Sequence, residues 1–559
     1  GEGKMVIDKA GSGSYTGFEF TGDVSAWKGA FEMNATNTFN LVFSGAADEI
    51  VNDIKNTSTE GRLILKLQSG NDMSLSGNIT TDSIEISNTR KVKFSGNVDT
   101  DSLKVSNDAE LVFGGDSSSS TISSLTSEDD IQLTKNGSGT LLISGGASAI
   151  SSLEVNGGIL EMAGYGDGSK SINSNITVNS GAELRFSDKV EDILNYDATD
   201  KSITVNGGTV DFGATRQTMG AWELVLSNGS LVSGSGDSYT ENGKTGQAAL
   251  DFNNNDSTIC ATSGESTISA VTRLRGGINL NYDVSKDATL TASGLIHADG
   301  VSGKGSITKK GQGTLVLSAA NTYAGTTTVS EGTLSIVHKD ALGGSAVEVR
   351  KDATLEFSTG ENYSLGATMD VYGALVANGD GRMDIGASGT MTLHDGATVS
   401  RTNEKSGWIQ GVLAVAAGAE NVVYSSLDDI HLSYNNGSNE GKIQLAAGGK
   451  MTLDVKGLYY YNGASATLDE GAELTLAKSN VVIANRGEGT ATLKALQTTA
   501  TQQQGQKAYS IDNDNFELAN GHLNNTAGSE KTLKNLLTNS SVENGGSGVL
   551  KVWNAANSL

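Results

Sequence analysis

The sequence predicts an all-β fold: a right-handed, single-stranded parallel β-helix, or β-solenoid, drawn out as an elongated rod. Three observations predict it. Proline is absent from 559 residues that include 72 glycines. Apolar residues recur at alternate positions between short Gly, Asn and Asp turns. One strand-turn-strand unit that begins at Thr81 begins again at Thr100.

Proline cannot donate to a strand ladder and is excluded from central strands, so a chain without it suits uninterrupted pairing. Several globular domains in series would carry prolines at their linkers. Low hydrophobicity (36%) with a net charge of −25 is also the composition of disordered chains, which bury too little apolar surface to offset their ordering entropy. Periodicity decides against disorder. In Ile176-Thr177-Val178 with Leu184-Arg185-Phe186, and in Val347-Glu348-Val349 with Leu355-Glu356-Phe357, every second side chain is apolar. This is the pattern of a strand with one buried face.

The repeat fixes the architecture. Thr81-Asp82-Ser83-Ile84-Glu85-Ile86-Ser87-Asn88 returns as Thr100-Asp101-Ser102-Leu103-Lys104-Val105-Ser106-Asn107, and Val92 and Phe94 return as Leu111 and Phe113. A period of about 20 residues is that of one solenoid coil, and coils of about 20 to 25 residues would stack into a narrow apolar core. A sandwich or up-and-down barrel would need dozens of hairpins instead. Two stretches, 46–54 and 529–537, have helical spacing and are expected to interrupt the coils or protrude from them. The polar segment 498–545 is expected to be less regular.

Charge and cysteine narrow the function. With 64 acidic and 39 basic residues the chain is no nucleic-acid binder, because phosphates need clustered Lys and Arg. Cys260 is the sole cysteine, so the fold is expected without disulfides or a Cys-based metal site. No stretch approaches the roughly 20 apolar residues of a membrane helix.

One motif is more specific. Ile307-Thr308-Lys309-Lys310-Gly311-Gln312-Gly313-Thr314-Leu315-Val316-Leu317-Ser318 continues through Asn321-Thr322-Tyr323-Ala324-Gly325 to Val329, Gly332 and Leu334. A second copy, Leu133-Thr134-Lys135-Asn136-Gly137-Ser138-Gly139-Thr140-Leu141, lies well upstream, and 133–162 and 307–336 share ten of thirty positions without a gap. Both resemble the passenger-associated transport repeat of bacterial autotransporters, also called the autotransporter-associated β-strand repeat. The earlier copy departs at Ala147-Ser148-Ala149-Ile150-Ser151, where the family has Asn-Thr-Tyr-x-Gly, so its turn is expected to differ. In the later copy the expectations are Leu315 and Leu317 in the core, with Asn321 bonding neighbouring backbone or stacking as an asparagine ladder.

The resemblance implies that residues 1–559 form one continuous β-helix passenger of a Gram-negative bacterium, exported through an outer-membrane translocation barrel and folded at the cell surface. It implies that the repeats assist that transport. The family's C-terminal membrane β-barrel is not found in this chain, whose final stretch, 546–553, reads as another solenoid strand.

Candidate chemistry is sparse. His297, His338, His394, His431 and His522 lack metal-ligand spacing and read as surface residues. Gly236-Asp237-Ser238 is similar to the nucleophile motif of secreted serine proteases, but Tyr239 and Thr240 follow where small residues belong. Asn378-Gly379-Asp380-Gly381-Arg382-Met383-Asp384 is half a calcium loop, with Val376 and Ala387 where carboxylates are required. Trp27, Trp222, Trp408 and Trp553 read as partly buried anchors ahead of sugar platforms. The sequence therefore predicts no catalytic residue, cofactor or metal. The expected function is a non-enzymatic stalk or adhesin facing a host or matrix protein or glycan. Two alternatives stay open: a polysaccharide lyase or glycosidase, and a surface-layer or filament protein self-associating end to end or side by side.

Overall fold

The computed structural model describes residues 3–8 and 17–476, except for 116–118, 128, 147–149, 164–169, 171, 188–190, 242–243, 254–256, 299–303, 434–439, 462–463 and 470–471. Beyond 476 it describes the strands Val482–Asn485, Ala491–Leu493, Leu496–Thr498, Ser510–Ile511, Phe516–Ala519 and Val542–Glu543. Among these residues every regular element is a strand, and apart from the hairpin Asp237–Glu241 with Lys244–Ala248 the strands stack in parallel as a β-solenoid. The coils divide into two compact units: Gly1–Asn281 with Ala288–Ser302, and Tyr282–Asp287 with Gly303–Leu559.

The repeat seen in the sequence is one coil. Thr81 pairs with Thr100, Ile84 with Leu103, Ile86 with Val105, and Phe94 with Phe113, so each residue sits on its own counterpart in the repeat. Each transport repeat spans two strands of one coil and two of the next. In the earlier copy Leu133 pairs with Leu153 and Leu141 with Leu160; in the later copy Leu315 pairs with Leu334 and Leu317 with Ile336.

Parallel register explains the core. Inward side chains meet their own kind one coil away, as in Phe94 on Phe113 (centroids 4.9 Å apart) and Phe186 on Phe212 (5.2 Å). A fully buried large apolar side chain contributes about 1.5–3 kcal/mol, and Leu315, Leu317 and Leu334 are all 0% exposed. The intervening residues carry cross-coil ion pairs, such as Lys66 with Glu85 (3.1 Å) and Lys91 with Glu110 (2.7 Å). Such partly exposed pairs are each worth only about 0–1 kcal/mol.

Asparagines line one edge of the first unit. Asn156 donates to Asn136 Oδ1 (3.0 Å), Asn179 to Asn156 Oδ1 (2.6 Å), and Asn228 to Asn206 Oδ1 (2.6 Å). Asn321 takes the other expected role: it is buried and donates to the backbone oxygen of Ala341 at 2.7 Å.

The segment 46–54, expected to be helical, instead holds two short strands. Glu49 pairs with Ser74 and Ile50 with Leu75, while Ile54 pairs with Phe31 and Ile79. Ala47, Ile50 and Ile54 are buried along a path that bends at Asn52, whose side-chain amide donates to the Trp27 and Gly29 carbonyls of the preceding coil. A sharp corner between two inward-facing strands reproduces helical spacing by accident. The segment 529–537 lies outside the described residues, as does most of 498–545.

Because Leu315 is fully buried against Leu334, Leu315→Asp should cost at least about 3 kcal/mol, the penalty of an uncompensated buried charge. Denaturant melts of both proteins check this. An unchanged midpoint would remove Leu315 from the core.

Candidate functional site

Coil length varies, and the site follows from it. Leu315 pairs with Leu334 across a short coil, whereas Val232 pairs with Ile268, nearly twice as far along the chain. The extra residues of that wide coil include the antiparallel hairpin Asp237–Glu241 with Lys244–Ala248.

Beneath the hairpin lies a short third sheet: Gln217–Thr218, Leu250–Phe252, Thr272–Leu274 and Ile296–Ala298. Leu250, Phe252 and Leu274 fill the core, so alternation turns Asp251, Arg273 and His297 outward, in register with one another. On a bare coil these three would face water. Here they are 0%, 1% and 8% exposed. The Tyr239 ring lies 3.7 Å from the Arg273 guanidinium, and its hydroxyl is 3.4 Å from His297 Nδ1. His297 Nε2 is 2.8 Å from the Gln247 carbonyl oxygen. A carbonyl can only accept, so Nε2 carries a proton, and in the neutral ring Nδ1 accepts from Tyr239.

The cluster is internally compensated. Asp251 accepts from Arg275 Nε (2.9 Å) and Nη2 and from Arg273 Nη1 (3.2 Å), with Arg216 Nε at 3.8 Å. Arg216 also meets Glu191 at 3.2 Å. Hydrogen bonding with Glu191 holds the Asp237 carboxyl below the ordinary carboxylate value.

Ser238 does not join a nucleophilic arrangement. It is exposed, and strand alternation places it opposite Tyr239, whereas His297 lies on the Tyr239 side. Its backbone amide donates to Asp237 Oδ1 at 2.7 Å.

The second unit has its own third sheet, including Met383–Ile385, Gly407–Ile409, Ile430–Leu432 and Gly457–Tyr460. Trp408 stacks on His431 with centroids 4.4 Å apart, and His431 stacks on Tyr459 at 5.0 Å. Tyr461 places its hydroxyl 3.3 Å from His431 Nδ1. These ring faces meet each other across coils, so the column serves packing more readily than sugar stacking. Asp384 begins it, accepting from the Trp408 amide at 3.0 Å with Arg382 at 3.3 Å. Burial pushes its carboxyl above the ordinary value despite these partners.

The expectation of surface histidines is therefore corrected at two positions: His297 and His431 are each 8% exposed, because the outer faces of the third sheets are covered. His394 lies nearer the surface, 3.0 Å from Asp370 and stacked on Tyr372, and His338 is 3.8 Å from Glu361. His522 and Trp553 lie outside the described residues. Trp222 is fully buried and donates to the Asn195 carbonyl at 2.8 Å, while Trp27 donates to the Gly3 carbonyl at 3.2 Å.

The half calcium loop is a packed turn. The carbonyls of Gly379 and Gly381 both accept from the Asn403 amide of the next coil (2.5 and 2.8 Å). Among the described residues no group of three or more His, Cys, Asp or Glu is placed to hold a metal ion.

The passenger-associated-transport-repeat family model matches residues 133–162 and 307–336, the boundaries read from the two motifs. The chain is also 27% identical, over 242 residues and 42% of its length, to the adhesin BmaC autotransporter of Brucella suis biovar 1 (strain 1330). The match spans 7% of that protein's length. No solved structure matches the chain. The repeats and the autotransporter relative indicate export to the cell surface.

Two measurements test the covered faces. Tyr239→Ala removes the ring over Arg273, a contact worth roughly 0.5–2 kcal/mol, and should speed hydrogen exchange in both hairpin strands without altering global unfolding. Unchanged exchange would mean that Tyr239 does not hold the hairpin down. For Asp384 the sign follows from its raised value. Below pH 3.8 it is protonated whether folded or unfolded; above that the unfolded chain ionises first, so its contribution falls until the folded carboxyl ionises too. Asp384→Asn, which keeps an acceptor for the Trp408 amide, should lose less stability between pH 4 and pH 7 than the parent. Equal losses in denaturant melts would refute this.

Proposed function

We propose that this chain is an adhesive segment of an autotransporter passenger, exported through an outer-membrane barrel and contacting a host or matrix protein or glycan at the cell surface. The similarity over 242 residues to an autotransporter adhesin carries the reading. The architecture supports it: coils contact only their neighbours, so a passenger emerging in one direction adds each coil to one already formed. Outward strand positions carry Thr, Glu, Lys and Arg along both units, giving broad polar faces suited to distributed contacts.

A carbohydrate-active enzyme is the second reading, and one observation favours it: Asp251 is ringed by three arginines beside Tyr239. Against it stands the hairpin over that cluster. We assign no catalytic role.

The test displays the chain on a non-adherent bacterium and measures attachment to immobilised matrix proteins and to acidic and neutral glycans, alongside assays for reducing ends and unsaturated uronates. Attachment should exceed that of the undisplayed strain, change by less than about threefold (below 1 kcal/mol) in Asp237→Ala, and yield no cleavage products. Saturable product formation abolished by Asp237→Ala would replace the adhesin with an enzyme.

A further inference from the structure

Both transport repeats bury a lysine at the same point. Strand alternation puts Lys135 and Lys309 on the inward side, after Leu133 and Ile307, and they are 3% and 0% exposed. An ammonium has three protons and no acceptor, so a buried one needs three oxygens. Each finds them in the same places. Lys135 Nζ donates to the carbonyls of Asn136 (2.7 Å), Gly137 (2.9 Å) and Gly157 (3.0 Å). Lys309 Nζ donates to those of Lys310 (2.8 Å), Gly311 (2.6 Å) and Glu331 (3.1 Å). Two acceptors belong to the lysine's own corner. The third belongs to the corner one coil later.

The repeat glycines make this possible. Gly137 and Gly311 have φ of +71° and +70°, a left-handed turn that brings two successive carbonyls within reach of one ammonium. In the following coil Gly158 and Gly332, at +63° and +62°, press against the corner below. A Cβ at Gly158 would lie 2.2 Å from the Gly139 oxygen, and one at Gly332 would lie 2.5 Å from the Gly311 and Gly313 oxygens. Close approach there carries the carbonyls of Gly157 and Glu331 to the lysines. Spacing, geometry and partners coincide in two copies far apart along the chain.

We infer that Lys135 and Lys309 are the seating residues of the transport repeats: each ammonium closes its own corner and fastens it to the next coil, so the two coils form together as an early step of folding. Charge-assisted bonds are roughly twice as strong as neutral ones, and the loop closed between each lysine and its third acceptor is short. Burial pulls both amines below the ordinary lysine value, Lys309 to about 8, so most of the Lys309 population is still charged at neutral pH. The clamp stands on the geometry alone; its service to export rests on the passenger reading.

Refolding and unfolding rates of the purified full chain test it, with Lys309→Met and Lys135→Met set against Lys310→Met, which alters an exposed neighbour. If the clamp forms early, the first two variants should refold about tenfold more slowly with nearly unchanged unfolding, the signature of a contact present in the transition state. Faster unfolding with normal refolding would make the lysines late stabilisers and overturn the inference, as would behaviour matching Lys310→Met. Should the methionine variants not fold, pulsed hydrogen exchange on the unmodified chain decides: amides of 133–162 and 307–336 must be among the first protected, and late protection overturns it. Surface display is scored separately. A chain that never reaches the surface, variant or not, counts against the passenger reading and leaves the clamp to the kinetics.

Discussion

Parallel, in-register pairing between successive coils is the constraint on which the rest of this structure depends. A parallel ladder places each residue against its counterpart one coil away, so the chemistry of a position is repeated along a column. Phenylalanine meets phenylalanine inside, and asparagine meets asparagine at an edge. The same rule is severe toward charge, because a like charge one coil away would repel. Lys66 and Glu85, or Lys91 and Glu110, show the remedy, with the sign alternating along the column.

Register also explains why the covered faces of the third sheets hold extended side-chain groupings. A short coil, such as the one from Leu315 to Leu334, carries strands of the two main ladders and none of a third sheet. The wide coil from Val232 to Ile268 can extend a hairpin over the outer surface of the coils that follow. Once covered, outward positions must be satisfied like core positions. Asp251 and Arg273 answer by pairing in register, and Trp408, His431 and Tyr459 answer by stacking.

The long strands were legible because two-residue alternation and the echo of one coil in the next are properties of the residues themselves, as at Ile84 and Leu103. The repeat boundaries were legible from the two motif copies that resemble a known family. The third sheets were not: strands as short as Gln217–Thr218 and Leu250–Phe252 cannot show a period. Without them His297 and His431 look like solitary surface residues, since what buries them comes from other coils. The error at 46–54 has a related origin, because a corner between two short strands mimics one face of a helix. Buried Lys135 and Lys309 gave a signal in both motif copies, but a lysine in a polar turn is ordinarily read as exposed.

The buried charges explain why so acidic a chain keeps cations inside. At the two repeat corners successive backbone carbonyls turn toward the interior, where a buried donor can satisfy them. An ammonium or guanidinium supplies several donors from one side chain, whereas a carboxylate would add acceptors where acceptors already go wanting. Lys135 and Lys309 follow this logic, each bonding backbone oxygen at a corner. The buried carboxylate of Asp251 obeys the complementary rule by meeting arginines rather than peptide groups. Placing part of the basic complement indoors leaves the exterior at least as acidic as the net charge of −25 implies. A surface of one dominant sign opposes unplanned pairing between chains, which a protein built of long parallel ladders has particular reason to resist.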